Sequence, residues 1–206
     1  MNPFKCLRIF DESGKTAARV VEVQLSELSA GDVVIQTAYS SVNYKDALAA
    51  TGAGKIIRSF PRIGGIDATG TVISSADSRF KAGDEVICTS YEFGVGHDGG
   101  FSHVCRVPAD WVVPLPRGLN LFEAAALGVA GYTAGLAVEL LELNGMAPQN
   151  GKILVNGATG GVATLAIDML AKGGYSVVAV TGKDAEHGFL QKLGAKEVLG
   201  RQGLEL

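Results

Sequence analysis

The stretch Leu154 to Ala166, LVNGATGGVATLA, constrains the fold of this chain more than any other. An apolar segment enters a turn made of glycine and alanine and continues directly as a helical pattern. Small residues let a ligand approach the backbone, and the free N–H groups and dipole at a helix start attract phosphate. The pattern therefore predicts a strand–turn–helix unit that holds the pyrophosphate of a dinucleotide.

The predicted contacts of this turn are backbone groups and small side chains: Gly157, Thr159, Gly160, Gly161 and Val162. Ala163 stands where the helix must pack closely on the strand. The stretch does not match G-x-G-x-x-G literally, so an ordinary strand–helix turn of an α/β protein stays open as an alternative.

The chain has two halves with different patterns. Up to residue 121, short runs of β-branched residues after turn signals, such as GDVVIQTAYSSV and GDEVICTSY, predict a small, partly open barrel, with one helix over Tyr44 to Ala50. From Phe122 onward a long Ala/Leu-rich helical segment is followed by alternating strands and helices, which predicts a doubly wound parallel sheet. The predicted strands are Ile153–Val155, Ser176–Val180 and Glu197–Leu199, and the predicted helices are Val162–Lys172 and Ala185–Leu193. We therefore expect two domains, residues 1–121 and 122–206.

The end of the second predicted strand indicates which nucleotide binds. An NAD site places an acidic residue there for the ribose hydroxyls. Here Thr181, Gly182 and Lys183 offer hydrogen bonds and a cation, which suits the 2′-phosphate of NADPH. Arg201 is a further candidate contact to the nucleotide. A solvated lysine and a solvated arginine remain the alternatives at these two positions.

Composition excludes several classes of partner. The net charge of −3 provides no basic surface for nucleic acid. The three cysteines show no metal-ligand spacing, and each histidine is isolated, so no metal is expected. Neither a signal peptide nor a long uninterrupted apolar stretch is evident, which predicts a cytoplasmic protein without a membrane partner.

Four segments together resemble one family: SSVNYKDALAATGAGKIIRSFPRIGGIDATGTV, GGFSHVCRVPADWVVPLP, GVAGYTAGLAV and VNGATGGVA…VVAVTGK. They are similar to the zinc-free quinone oxidoreductase branch of the medium-chain dehydrogenase/reductase superfamily, and most of all to its bacterial NADPH-dependent acrylyl-CoA reductase group. The resemblance covers essentially the whole chain. It implies a GroES-like barrel domain followed by the first half of a Rossmann doubly wound sheet. Because family members continue for well over a hundred residues more, the chain looks incomplete.

The resemblance also implies residue roles. Zinc members carry a Cys and a Gly-His-Glu motif where this chain has Asn43 and Ile66-Asp67, so zinc would lack its ligands. The catalytic cluster would be Asn43, Tyr44, Asp46 and Asp67, with Tyr44 also orienting the cofactor. Thr133 would touch the nicotinamide, and Arg58 would meet a phosphate of CoA. The alternatives are an ordinary helix acid at Asp46, a surface ion pair at Arg58 and, at Thr133, a helix threonine that bonds its own backbone.

The activity that the resemblance implies is hydride transfer from NADPH to an activated carbon–carbon double bond, with acrylyl-CoA or a similar enoyl-CoA as substrate. A quinone acceptor is the first alternative, because it needs only an open apolar cleft. The second is an NADPH-binding module without turnover. A homodimer is expected.

Overall fold

The computed structural model describes residues 1–202, and Arg201 therefore lies within the described part. The chain divides into two compact units, Met1–Val129 and a second unit that begins at Ala130. This division falls eight residues after the boundary expected from the change in sequence pattern at residue 121, inside a long helix.

The first unit is built from antiparallel strands around a core of Val, Ile and Phe side chains. A five-stranded sheet has the order β7-β3-β5-β6-β8, and a three-stranded sheet has the order β2-β1-β4. The strands are β1 (Phe4–Glu12), β2 (Lys15–Val23), β3 (Val33–Tyr39), β4 (Arg62–Ile63), β5 (Asp67–Ser75), β6 (Glu85–Thr89), β7 (Val104–Val107) and β8 (Val112–Pro114).

The first strand, β1, is a correction, because no strand is predicted from the sequence over Phe4–Glu12. β1 pairs with β2 in a hairpin that aligns Glu12 with Lys15, and Ser13 and Gly14 form its turn with φ of 57° and 85°. Two residues with positive φ are typical of the tight turns that suit twisted hairpins. The Ser-Gly pair could therefore have predicted this hairpin turn from the sequence.

One helix lies between β3 and β4, and a second helix follows β8. Helix α1 (Tyr44–Thr51) ends at Gly52, whose φ of 72° stops it in a left-handed cap. Helix α2 (Leu121–Leu143) is broken at Gly128, where φ is 49° and ψ is −153°. Within residues 1–202, α2 is the one helix whose length and apolar composition would allow it to cross a membrane. Core helices of soluble proteins can have the same length and composition.

The second unit is a parallel sheet with helices, in the order β11-β10-β9. Its elements are β9 (Lys152–Asn156), α3 (Gly161–Lys172), β10 (Ser176–Val180), α4 (His187–Lys192) and β11 (Glu197–Leu199). Buried Ile167, Val177, Ala179 and Leu190 form the centre of its core. The order 3-2-1 is that of one half of a Rossmann sheet, so the predicted fold class is confirmed.

Candidate functional site

The centre of the polar cluster in the first unit is the buried carboxylate of Asp67, at the start of β5. Its Oδ1 accepts the Ser41 N–H at 2.6 Å. Its Oδ2 accepts the Ser41 hydroxyl, the Asn43 Nδ2–H at 3.1 Å and the Val129 N–H at 3.4 Å. Three of these four donors therefore converge on Oδ2, and one reaches Oδ1.

A second buried carboxylate, Asp46, lies in the first turn of α1. It accepts the N–H of Asn43 at 2.8 Å and the N–H of Ile66 at 3.1 Å, so it fixes the helix start and the segment before β5. Burial raises the pKa of Asp46, the hydrogen bonds from Asn43 lower it, and the negative charge of Asp67 raises it. The cluster thus holds one carboxyl whose proton is retained more strongly than usual.

The structure brings three of the four predicted catalytic residues together: Asn43, Asp46 and Asp67. The fourth, Tyr44, is the first residue of α1, and its side chain is 80% exposed. Tyr44 therefore presents its phenol to the surface, whereas the amide of Asn43 is turned inward to Ser41 and Asp67.

Sequence reasoning missed Ser41, which donates both its N–H and its hydroxyl to Asp67. It also missed the reason for Gly128. A Cβ atom at Gly128 would lie 2.8 Å from the Ser41 Oγ and 2.9 Å from the Asp67 Oδ2. The break in α2 is therefore packed directly against the polar cluster, and only glycine fits there without displacement.

Arg58, the predicted contact to a substrate phosphate, lies apart from this cluster. Its Nη1 is 3.2 Å from the Oε1 of Glu92, and both side chains are largely exposed. Arg58 thus forms the surface ion pair that was the alternative at this position. Its other guanidinium N–H groups form no hydrogen bond with residues 1–202.

In the second unit, the glycine turn leaves open space before the start of α3. Gly157 has a φ of 62° and a Cβ there would meet nothing within 4 Å. Gly160 precedes α3 as its N-cap and provides no side-chain cap, so the first-turn amides of α3 have no side-chain acceptor. Unpaired amides at the start of a twelve-residue helix favour an anionic ligand.

The residues after β10 combine one buried hydroxyl with two exposed cations. Thr181 is buried, and its Oγ1 accepts the N–H of Lys183 at 3.1 Å, so this hydroxyl is turned toward its own backbone. A Cβ at Gly182 would lie 3.5 Å from the Cδ of Arg201. Lys183 follows Gly182 directly, so both cations lie at the same short segment.

The remaining predicted contacts are Thr159 and Val162 in the glycine turn and Thr133, an exposed residue of α2 in the second unit. Within residues 1–202, no three His, Cys, Asp or Glu side chains form a group that could hold a metal ion. Zinc independence itself stays a prediction.

Comparison with known proteins identifies the class of protein. The model of the alcohol dehydrogenase GroES-like domain matches residues 29–117. The solved structure of an oxidoreductase, YhdH, from Salmonella enterica in complex with NADP is 49% identical, with a TM-score of 0.94 over 96% of this chain and 61% of that one. Bacillus subtilis YhfP with NAD bound is 48% identical, with a TM-score of 0.97 over 100% of this chain and 63% of that one.

The chain therefore belongs to the medium-chain dehydrogenase/reductase superfamily. Within it, the chain is similar to the acrylyl-CoA reductase AcuI of Ruegeria pomeroyi, at 46% identity over 93% of this chain and 58% of the relative. YhfP, which carries the name of a quinone oxidoreductase, is 49% identical over 97% of this chain and 60% of the relative. The chain thus spans about 60% of the length of these relatives.

Proposed function

We propose that this chain belongs to an NADPH-dependent oxidoreductase that reduces the activated double bond of acrylyl-CoA or a similar enoyl-CoA. The observation that carries the proposal is the uncapped start of α3 behind the glycine turn, together with the two cations after β10. The similarity to AcuI supports the choice of substrate class.

The bound nicotinamide would supply the hydride, and the residues of this chain would hold the nucleotide. The amides of Gly161 and Val162 are available for the pyrophosphate, and Lys183 and Arg201 for the 2′-phosphate. The YhfP structure contains NAD, whereas the YhdH structure contains NADP. The preference for NADPH therefore depends on whether Lys183 and Arg201 act as proposed.

The polar cluster would have a positioning role as well as a chemical one. Four protein donors reach Asp67, so its carboxylate holds Ser41 and Asn43 in place. The phenol of Tyr44 is exposed and can donate a hydrogen bond, so we assign to it the orientation of the cofactor or the delivery of a proton.

Replacing Lys183 with alanine tests the nucleotide assignment. A charge-assisted bond to a phosphate is lost, so the Kd for NADPH should rise roughly 10- to 100-fold while the Kd for NADH stays nearly unchanged. Lys192→Ala is the matched control, because Lys192 is an exposed lysine at the end of α4 in the same unit. Equal losses for both nucleotides would contradict the 2′-phosphate assignment.

The acceptor is tested by following the nicotinamide absorbance of NADPH with acrylyl-CoA and, in parallel, with a simple benzoquinone. Efficient reduction of acrylyl-CoA and slow reduction of the quinone are expected. The reverse order would favour the quinone oxidoreductase that the name of YhfP suggests. NADPH binding without reduction of either acceptor would favour a binding module without turnover.

A further inference from the structure

An exposed aromatic platform lies in the first unit, just after β6. The ring of Tyr91 stacks on the indole of Trp111, with centroids 5.3 Å apart and planes inclined by 4°. Tyr91 is nevertheless 65% exposed, because only one face of its ring is covered. A flat, exposed π-face of this kind is suited to stacking with a planar ligand.

The backbone holds this ring in an unusual conformation. Ser90 and Tyr91 have φ of 68° and 51°, which non-glycine residues seldom adopt and which cluster at functional sites. The carbonyl of Glu92 fixes the following turn by accepting the N–H groups of Val95, Gly96 and His97 at 2.9–3.0 Å. The platform is therefore rigid before any ligand arrives.

His97 also holds the indole of Trp111 in place. The ring of His97 meets Trp111 edge-on at 5.0 Å, and its Nδ1 and Nε2 each lie 2.9 Å from a backbone carbonyl, those of Asp98 and Ala30. Trp111 is thus held between two rings, and Tyr91 is the only one of the three that is mostly exposed.

A cation accompanies the platform. Glu92, the residue after Tyr91, pairs with Arg58 at 3.2 Å, and the side chain of Arg58 is 70% exposed. One carboxylate oxygen engages only one edge of a guanidinium, which has five N–H donors in a fork that matches phosphate. In the structure Glu92 occupies the place that a phosphate oxygen could take.

We propose that Tyr91 and Arg58 form the subsite for the adenosine 3′-phosphate of a CoA thioester. The adenine ring stacks on the free face of Tyr91, and the phosphate binds Arg58 in exchange for the carboxylate of Glu92. This subsite rests on the proposed function, because it assumes that the substrate is a CoA ester. The other adenine nucleotide of the reaction, NADPH, is assigned to the residues of the second unit.

Trp111 provides a direct measurement, because it is the only tryptophan of the chain. Its fluorescence is followed while CoA, dephospho-CoA, pantetheine or NADP⁺ is added to the protein. CoA should change the emission, dephospho-CoA should bind about 10-fold more weakly, and pantetheine should have no effect. If NADP⁺ changes the emission and CoA does not, the assignment to CoA is wrong.

Three variants locate the site by calorimetric titration with CoA. Tyr91→Leu should raise the Kd roughly 5- to 100-fold, and Arg58→Gln should remove the difference between CoA and dephospho-CoA. Glu92→Gln should tighten binding of CoA, since it releases Arg58. Arg19→Gln is the control, because Arg19 forms a comparable exposed ion pair with Glu12. An unchanged Kd in Tyr91→Leu would overturn the proposal.

Kinetics separate this proposal from the proposed function. With acrylyl-CoA, Tyr91→Leu should raise KM and leave kcat unchanged, and with acrylyl-pantetheine it should change neither. If acrylyl-CoA is reduced but KM is insensitive to Tyr91, the subsite is wrong and the function stands. If no CoA ester is reduced and yet CoA binds at Tyr91, the subsite stands and the function is wrong.

Discussion

The substitution Gly128→Ala tests the packing of the α2 break against the polar cluster. Two costs follow from the structure. The backbone at φ 49° and ψ −153° is close to a region that only glycine occupies readily, so an alanine there is strained by about 1–3 kcal/mol. The added Cβ would also lie 2.8 Å from the Ser41 Oγ and 2.9 Å from the Asp67 Oδ2, and such overpacking costs about 1–3 kcal/mol more.

The matched control is Gly83→Ala, also in the first unit. Gly83 has a φ of 93°, but a Cβ there would meet nothing within 4 Å, so it reports the backbone cost alone, about 1–2 kcal/mol. Urea unfolding followed by the fluorescence of Trp111 measures both variants in the same unit. We expect Gly128→Ala to lose clearly more free energy of unfolding than Gly83→Ala.

The substitution Ser41→Ala tests the same contact from the other side, because it removes the Ser41 Oγ, one of the two atoms that would lie within 3.0 Å of the new Cβ. In that background Gly128→Ala should cost less than in the parent, so the double-mutant cycle should show a favourable coupling between positions 41 and 128. If Gly128→Ala and Gly83→Ala differ by less than about 0.5 kcal/mol, the close packing of Gly128 on Ser41 and Asp67 does not matter for stability.

Two further predictions concern buried titratable groups. Burial raises the pKa of Cys6 to about 11 and that of Cys105 to about 12, and it also raises the pKa of Cys88. At neutral pH a thiol-specific disulfide reagent should therefore modify the three buried cysteines only after denaturant is added. Rapid labelling of the native protein would contradict this. Burial and the hydrogen bond to Glu142 raise the pKa of Tyr175 above its ordinary value of 10.0. The contribution of Tyr175 to the free energy of unfolding should therefore be complete below pH 10.0 and should be lost as the pH rises through the higher pKa of the folded state. Tyr175→Phe should flatten this alkaline loss in pH-dependent unfolding, and an unchanged pH profile would count against the reasoning.

Local patterns were sufficient for most of the fold. The strand at Ser176–Val180 and the one at Glu197–Leu199 have the predicted bounds, because each is a short β-branched run between turn residues. Helix α3 begins one residue before its predicted start, at Gly161. The strand β1 was missed because its pattern, FKCLRIFDE, mixes charged and apolar residues on both faces.

The polar cluster could be predicted only in part. Asn43 and Asp46 lie three residues apart, so their contact follows from the start of a helix. The contacts of Asp67 with Ser41 and Val129 join residues 26 and 62 positions apart, and nothing in a local pattern reports such separations. The requirement for glycine at position 128 depends on both contacts, so it became visible only when the tertiary packing was known.

The hydrogen bonds of Asp67 indicate how the proposed roles divide within the cluster. A buried carboxylate is tolerated when hydrogen bonds compensate its lost hydration, and here two backbone N–H groups, one hydroxyl and one amide do so. A substrate that took the place of one of these donors would leave that donor unpaired. Asp67 therefore suits a fixed support for Ser41, Asn43 and the backbone at Val129. A group that exchanges a proton with a ligand must be able to reach it, and the exposed phenol of Tyr44 is the group to which we assign that role.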